Sequence, residues 1–328
     1  MEEEVLSRVP VKSLGKLRLT CKKWNTITKS ESFLKKKQRN GIEVVMMMDY
    51  RVSLMSVDLL SPSIDPIGNL NADGIKISKI FHCQGDKDSS RVVVWNPYLG
   101  QTRYIELPRN SIYHKCVKYA LGYEKKNHKI LRFVNEYLET SRDRIRELQI
   151  YSLYSNSWEV IDDFTPDWYI LYKHSGVSLK GNTYWYALEE IPFHAVFGDT
   201  VTLASVREEQ LAVLFHRASV VEIWITNKIE PNAVSWSNLL FAVDMKPVAG
   251  FWFPNVGRSF FVDEEKKVAV VLDKEIIDKC HLPARNIAYI IGNNGILSKV
   301  DLGESRDKFC YPLVCSYVPS SVQIPNTP

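Results

Sequence analysis

The stretch from Leu148 to Trp158 reads LQIYSLYSNSW and joins a run of apolar and aromatic residues to a tryptophan a few positions later. Three other stretches repeat this combination: VVVWNP at 92–97, GNTYW at 181–185, and EIWI at 222–225, which is followed by Ser235-Trp236. Short β-branched and aromatic runs that are broken by turn residues are typical of strands. Repeated units of a strand and a large ring fit the blades of a β-propeller, because neighbouring sheets bury such a ring between them.

Turn signals between the apolar runs predict local strand pairing throughout residues 41–328. Tight hairpins are predicted at 124–128, 180–182, 263–266 and 292–295, where polar and glycine residues separate two apolar runs. We therefore expect an all-β body, organised as a propeller. The spacing of the repeated units is irregular, so a β-sandwich is the alternative.

Composition places the chain among folded globular proteins of one large or two unequal domains. It has 328 residues, of which 45% are hydrophobic and 24% are charged. No window reaches the roughly 18 apolar residues of a membrane span, and the acidic start Met1–Glu4 does not resemble a secretory signal. The six cysteines show no Cys-x-x-Cys pair. We therefore expect reduced thiols in an intracellular chain of the nucleus, the cytoplasm or both, without a membrane partner.

The first 40 residues differ from the rest in both period and charge. They carry eleven Lys and Arg against four Glu, a net charge of +7, whereas the remainder is net −3. Apolar residues recur at steps of three and four, which predicts a short helix before Pro10 and a second helix of about four turns after it. These 40 residues, here called the head, have too few large apolar groups to be stable as a separate domain. We therefore expect the head to need a partner.

The head resembles a known family. The run EVLSRVPVKSLGKLRLTCKKWN at Glu4–Asn25, with the trailing Phe33, is similar to the body of a plant F-box. An F-box usually opens with Leu-Pro-x-Asp-Leu, which precedes the matching part, so residues 1–40 are expected to be an N-terminally truncated F-box. The resemblance implies a set of residues that face an adaptor or pack the head: Val5, Leu6, Val9, Pro10, Leu14, Leu17, Cys21 and Trp24. The alternative for the second half of this set is a helix face packed on the protein's own body.

The body resembles the F-box-associated interaction domain of plant F-box proteins, a kelch-like propeller. Stretches such as VWNP at 94–97, YALGY at 119–123 and GVSLKGNTYW at 176–185 match it in order. One departure follows Trp185, where members usually carry a strand that contains Phe-Asp-Phe, whereas this chain reads ALEEIPFH at 187–194. We therefore expect a short F-box followed by a propeller, in which one blade is incomplete.

Patterns that carry chemistry are absent from the sequence. The seven histidines have no metal-ligand spacing, and no phosphate-binding loop or nucleophile elbow can be read. Adjacent acidic residues, such as Asp162-Asp163, point to opposite faces of a strand and do not form a catalytic pair. We expect a binding protein rather than an enzyme, with no metal or cofactor.

Function follows from the resemblance. The resemblance implies that the chain is the substrate-recognition subunit of an SCF-type ubiquitin ligase. In such a subunit the head binds a Skp-type adaptor and through it a cullin scaffold, while the body binds a target protein, which is unknown here. The alternative is a non-catalytic propeller scaffold that has lost adaptor binding. Nucleic-acid binding by the basic head is less favoured, because its two aromatic residues, Trp24 and Phe33, fit a core. Candidate target-binding loops are 110–115, 165–169 and 251–258.

Overall fold

A computed structural model gives the fold of the chain. The structure describes residues 2–9, 11–39, 42–49, 51–59, 63–70, 76–77, 91–108, 117–125, 127–137, 144–163, 166–170, 174–189, 200–207, 209–217, 219–230, 233–244, 259–275, 284–293, 295–305, 307 and 310–325. Among the helices in these ranges, none is long and apolar enough to cross a membrane.

Four short helices form the N-terminal head: α1 (Glu2–Ser7), α2 (Val11–Thr20), α3 (Lys22–Ile27) and α4 (Glu31–Arg39). The predicted second helix of four turns is wrong, because the chain breaks at Cys21, whose backbone is extended with φ −145° and ψ 122°. The Cys21 carbonyl then accepts from the Asn25 N–H at 3.0 Å and begins a new helix. This break redirects α3, and its Trp24 and Ile27 join the apolar cluster that holds Leu14.

The rest of the described chain is built of strands, as the period of two predicted. Their bounds are β1 (Ile42–Met48), β2 (Arg51–Asp58), β3 (Ser63–Leu70), β4 (Lys76–Ile77), β5 (Arg91–Asn96), β6 (Gln101–Glu106), β7 (Lys118–Glu124), β8 (Asn127–Tyr137), β9 (Arg144–Ser152), β10 (Ser157–Val160), β11 (Trp168–Tyr169), β12 (Val177–Leu179), β13 (Asn182–Tyr184), β14 (Leu188–Glu189), β15 (Thr200–Val206), β16 (Gln210–Arg217), β17 (Val220–Glu230), β18 (Ala233–Asp244), β19 (Ser259–Asp263), β20 (Val268–Glu275), β21 (Ala284–Gly292), β22 (Gly295–Ser305) and β23 (Leu313–Ser316).

Pairing groups these strands into successive sheets, which we call blades. Blade 1 has the order β23-β1-β2-β3, blade 2 is β4-β5-β6, and blade 3 is β7–β10 in reverse sequence order. Blade 4 holds two separate ladders, β11-β14 and β12-β13, while blades 5 and 6 are the meanders β15–β18 and β19–β22. Apart from the parallel pair β4 and β5, all of these ladders are antiparallel.

Apolar contacts between successive blades close a ring. Successive blades share apolar clusters, and the rings of Phe133 and Trp185 join blades 3 and 4. From blade 1 to blade 6 and back to blade 1, the residues that share a cluster include Met47 and Val93, Val92 and Ile130, Leu179 and Leu211, Ile223 and Tyr289, and Phe261 and Val44. Every blade therefore packs on two neighbours, which is the geometry of a propeller and not of a two-sheet sandwich. The predicted fold class is confirmed.

Strands β23, β19, β15, β12 and β7 lie innermost and contact one another in that order. Around the centre of the ring, four of these strands line a small cavity. Hydroxyl groups in its wall tie the strands together: Ser316 Oγ donates to the Ser205 carbonyl at 3.1 Å, and Ser259 Oγ accepts from the Val314 N–H at 2.7 Å. The C-terminal strand β23 pairs with β1, so the last strand of the chain completes the first blade.

The two faces of the ring carry different connections. Innermost strands end in tight turns, such as 180–181, where Lys180 and Gly181 both have positive φ, as a two-residue hairpin requires. Strand β1 begins on this same face, because β23 ends there, so the head joins the body at the face of the tight turns. The predicted incomplete blade concerns residues 187–194, of which 190–194 lie outside the described part of the chain, and it stays a prediction.

Candidate functional site

The core of the head is completed by the body. Leu6, Leu14 and Phe33 are buried in one cluster with Leu54 of β2 and Tyr98 of the β5–β6 turn. Half-buried side chains surround this cluster: Val9, Leu17, Trp24, Ile27 and Leu34 from the head, and Val45, Trp95, Leu99 and Tyr317 from the body. The sequence indicated that the head cannot bury enough surface alone, and within this chain the body supplies the missing partner surface.

The structure separates the predicted adaptor-facing residues into three groups. Leu6 and Leu14 are buried, and Val9, Leu17, Cys21 and Trp24 are half-buried, while Pro10 lies outside the described residues. Val5 is 62% exposed. The alternative of packing on the protein's own body therefore describes where Leu14, Leu17 and Trp24 lie, whereas adaptor contact by any member of the set stays a prediction.

Leu19 is an exposed apolar residue that the sequence reasoning missed. Its side chain is 88% exposed, more than that of any other large apolar residue among those described. It lies in α2 between Leu17 and Cys21, and therefore off the stripe of Leu14, Leu17, Cys21 and Trp24 that sequence spacing reveals. The sequence could have indicated this exposure, because Leu19 does not lie on the apolar stripe of its own helix.

Tyr98 holds the head to the body through polar contacts as well as packing. The Arg18 guanidinium lies over the Tyr98 ring, 4.1 Å from its centroid, and Arg18 Nη1 donates to the Tyr98 carbonyl. The Tyr98 hydroxyl donates to the Thr28 carbonyl, and Thr28 Oγ1 accepts from Arg18 Nε at 3.0 Å. Burial is the main reason that the pKa of Tyr98 lies above its usual value. The β5–β6 turn is thus clamped by α2 and by the end of α3.

A second clamp is a buried ion pair between α4 and β1. Lys37 Nζ lies 3.9 Å from a carboxylate oxygen of Glu43 and donates to the Val9 carbonyl at 3.0 Å. Burial raises the pKa of the Glu43 carboxyl and lowers the pKa of the Lys37 ammonium, and the opposite charge offsets part of each shift. Because both charges are desolvated, this pair fixes geometry more than it adds stability.

The basic side chains of the head are partly paired with its own carboxylates. Lys36 of α4 contacts Glu4 of α1, and Lys23 of α3 contacts Glu2 at 3.0 Å. Hydrogen bonding to Lys36 is the main reason that the pKa of Glu4 lies below its usual value. Exposed pairs of this kind contribute little stability, but they reduce the local positive charge that the count of +7 suggests.

Metal-ligand clusters and disulfides are two further kinds of site to consider among the described residues. Among these residues, no group of three or more His, Cys, Asp and Glu side chains is placed to hold a metal ion. Cys21, Cys310 and Cys315 are not joined by disulfides. Of the predicted target-binding loops, 110–115 and 251–258 lie outside the described residues, while Trp168–Tyr169 forms the short strand β11.

Comparison with known proteins agrees with this architecture. An F-box domain matches residues 3–36, and an F-box associated beta propeller domain matches residues 43–192 and 187–324. The F-box/kelch-repeat protein At3g16740 of Arabidopsis thaliana is 50% identical to this chain, over 99% of it and 97% of the relative. The Arabidopsis F-box proteins At5g42460 and At2g17830 are 45% and 44% identical, each over 98% of this chain and 96% of the relative. The helical head docked on a closed ring of blades is therefore that of the plant F-box proteins with an F-box associated β-propeller domain, and this chain belongs to that family.

Proposed function

We propose that this chain is the substrate-recognition subunit of an SCF-type ubiquitin ligase. Its head binds a Skp-type adaptor, which connects it to a cullin scaffold, and its body captures a target protein. One observation carries this proposal: residues 3–36 match an F-box domain, and this head packs on the propeller body through Leu6, Leu14 and Phe33. Among the described residues of the head, Val5 and Leu19 are large apolar residues that stay exposed, which makes them the positions at which adaptor contact is tested.

In this role the chain contributes no chemistry of its own. It holds the target beside the ubiquitin-loaded enzyme, and the raised effective concentration accelerates transfer to the target's lysines. The members of this family act as adaptors between proteins, and this chain is proposed to be a non-catalytic subunit in the same way. The net positive head steers the encounter with an acidic adaptor surface, which affects the association rate more than the affinity.

The face opposite the head is the proposed target-binding surface. The innermost strands β7 and β19 begin on that face, and the predicted loops 110–115 and 251–258 precede these two strands in the sequence. Connections on the head face are shorter, for example 125–126 and 264–267. Binding residues of scaffold folds concentrate on such longer connections, because the sheets beneath them stay fixed when the loops vary.

Adaptor binding is tested with the purified chain and a plant Skp-type adaptor at two salt concentrations. Val5→Asp and Leu19→Asp place a charge on exposed positions without entering the core, so folding is retained. We expect the wild type to bind at both salt concentrations and at least one of these variants to bind about tenfold or more weakly. Tyr154→Asp is the matched control, because Tyr154 is 85% exposed and lies on the body.

Two outcomes contradict the proposal. A folded wild-type chain that does not bind any plant Skp-type adaptor leaves the propeller scaffold as the better description. Binding that disappears at moderate salt and is unaffected by both Asp substitutions would show a charge-driven contact without a specific apolar interface. Leu14→Asp is unsuitable as a probe, because Leu14 is fully buried and its substitution disrupts the head itself.

A further inference from the structure

We propose that the β5–β6 hairpin couples the head to the C-terminal segment 317–325, here called the tail, and that this coupling positions the head on the body. The hairpin consists of β5, β6 and the turn 97–100. The head contacts the turn and the tail contacts both strands, so the two ends of the chain meet on one hairpin. The inference deepens the proposed function, because the orientation of the head determines where an adaptor would lie relative to a target.

Side chains of the hairpin bind the tail along its length. Asn96 Nδ2 donates to the carbonyls of Ser320 and Val322 at 3.0 and 2.8 Å. Gln101 Oε1 accepts from the Ile324 N–H at 3.0 Å, and Arg103 Nη1 donates to the Pro325 carbonyl at 2.8 Å. These four hydrogen bonds involve backbone atoms of the tail, and they hold it as an extended strap across the hairpin.

Two of these side chains are themselves buried and fixed. Asn96 is 8% exposed, and its Oδ1 accepts from the Leu99 N–H at 3.2 Å within the turn. Arg103 is 7% exposed, and it also donates to the Leu153 carbonyl at 3.0 Å and to Asn156 Oδ1 at 2.7 Å. Removing the tail would leave buried donors without these partners, which is costly in a low-dielectric environment. The tail therefore binds to side chains that the body itself buries and holds in place.

Tyr98 and Tyr317 connect the tail and the hairpin to the head. The Tyr98 N–H donates to the Tyr317 hydroxyl at 3.1 Å, while the Tyr98 side chain and carbonyl contact Thr28 and Arg18 of the head. The Tyr317 N–H donates to the carbonyl of Glu43 at 3.0 Å, and the Glu43 carboxylate pairs with Lys37. Contacts therefore run without interruption from α2 through Tyr98 to the first residue of the tail.

Such a connection predicts a coupling free energy between the head and the tail. If the head and the tail stabilise the same position of the Tyr98 turn, loosening either one must loosen the other by the same coupling free energy. Arg18 makes no contact with Val322 or Ile324 among its hydrogen bonds, ion pairs and ring contacts. A response of the tail to a change at Arg18 would thus report coupling through the hairpin, whereas a purely local role of Arg18 would leave the tail unchanged.

Hydrogen–deuterium exchange of the full-length chain tests this coupling from the head to the tail and from the tail to the head. In Arg18→Ala, we expect the amides of Val322 and Ile324 to exchange about fivefold faster or more. In Asn96→Ala, which loosens the tail, we expect a similar increase for amides of α2 and α3, including the Thr28 N–H that bonds to the Trp24 carbonyl. Tyr154→Ala is the control, and in it neither region should change.

Exchange that rises only beside each substitution, with the distant region unchanged, would overturn the proposal. If Asn96→Ala does not fold, Tyr317→Phe replaces it, because that change deletes the hydroxyl acceptor of the Tyr98 N–H and keeps the ring. The measurement uses no adaptor and no ubiquitin, so loss of coupling and loss of adaptor binding are separate results. A coupled chain without adaptor affinity would contradict the proposed function alone.

Discussion

The head and the interface between blades 5 and 6 bury their apolar residues in different ways. Long strands from both blades contribute the interface, including Ile223, Phe260 and Tyr289, and its core lies entirely within the body. In the head, short helices bury Leu6, Leu14 and Phe33, and this cluster is completed by residues of the body. The difference shows that the folded head depends on the body, whereas the core between these two blades needs nothing from the head.

The largest expected effect on stability comes from a residue that is buried between two blades of the propeller. Phe261 is 1% exposed between blades 6 and 1, and Phe261→Ala should lower the free energy of unfolding by about 3–5 kcal/mol, because it removes buried surface and leaves a cavity. Urea unfolding followed by tryptophan fluorescence measures the change. Tyr154→Ala should leave the transition within about 0.5 kcal/mol. A loss of less than about 1 kcal/mol would contradict the packing of Phe261 between blades 6 and 1.

The next effect distinguishes the head from the ring. Leu14→Ala should destabilise the docked head by about 2–3 kcal/mol, toward the low end for buried leucine, because short helices collapse around a cavity. Hydrogen exchange should rise in α1–α4 and remain slow in β20 and β21. The matched variant Leu19→Ala removes a leucine that is 88% exposed and should change neither region. Equal acceleration in the head and in β20 would show one cooperative unit instead of two.

A smaller effect concerns the close contact between blades 3 and 4, where Gly122 and Gly181 meet. A Cβ at Gly181 would lie 2.5 Å from the Tyr123 carbonyl oxygen, and φ there is +84°. Gly303 has φ +101° but no atom within 4 Å of its Cβ position. Gly181→Ala should therefore cost about 2 kcal/mol or more, and Gly303→Ala about 1 kcal/mol from backbone strain alone. Equal losses in urea unfolding would mean that the close approach contributes nothing.

The smallest expected effect is the pH response of the buried pair. The pKa of Glu43 is raised in the folded chain, so its contribution to stability is fully present below the unfolded value near 4.5 and is lost as the pH rises through the folded pKa. The wild type should therefore lose stability relative to Glu43→Gln across that range. Unfolding free energies of both proteins between pH 4 and 8 give this difference. A difference that grows in the opposite direction would mean that Lys37 attraction outweighs burial.

Local patterns were sufficient to predict most of the body. The hairpin at 180–182 was predicted from a glycine between apolar runs, and the repeated strand and tryptophan units predicted blades. These predictions succeeded because side-chain alternation and turn chemistry are properties of a few adjacent residues. The spacing of Leu14, Leu17 and Trp24 also identified the apolar face of the head correctly, although it did not reveal what covers that face.

The remaining features depend on residues that are distant in sequence. Asn96 binds Ser320 and Val322, more than 200 positions away, and nothing in the tail has the period or the turn signals of a structural element. Cys21 breaks the predicted helix because packing of Trp24 on the body outweighs helical preference. The role of Tyr98 is hidden for the same reason, since its partners Arg18, Thr28 and Tyr317 come from three other parts of the chain.

The pairing of β23 with β1 has a consequence for biosynthesis. Ribosomes release the N-terminus first, so β1 has no inner neighbour until residues 313–316 have been translated. During that interval the backbone donors and acceptors along one edge of β1 are open to pairing with another nascent chain. We therefore expect a chain that ends before residue 313 to aggregate more readily than one that contains β23.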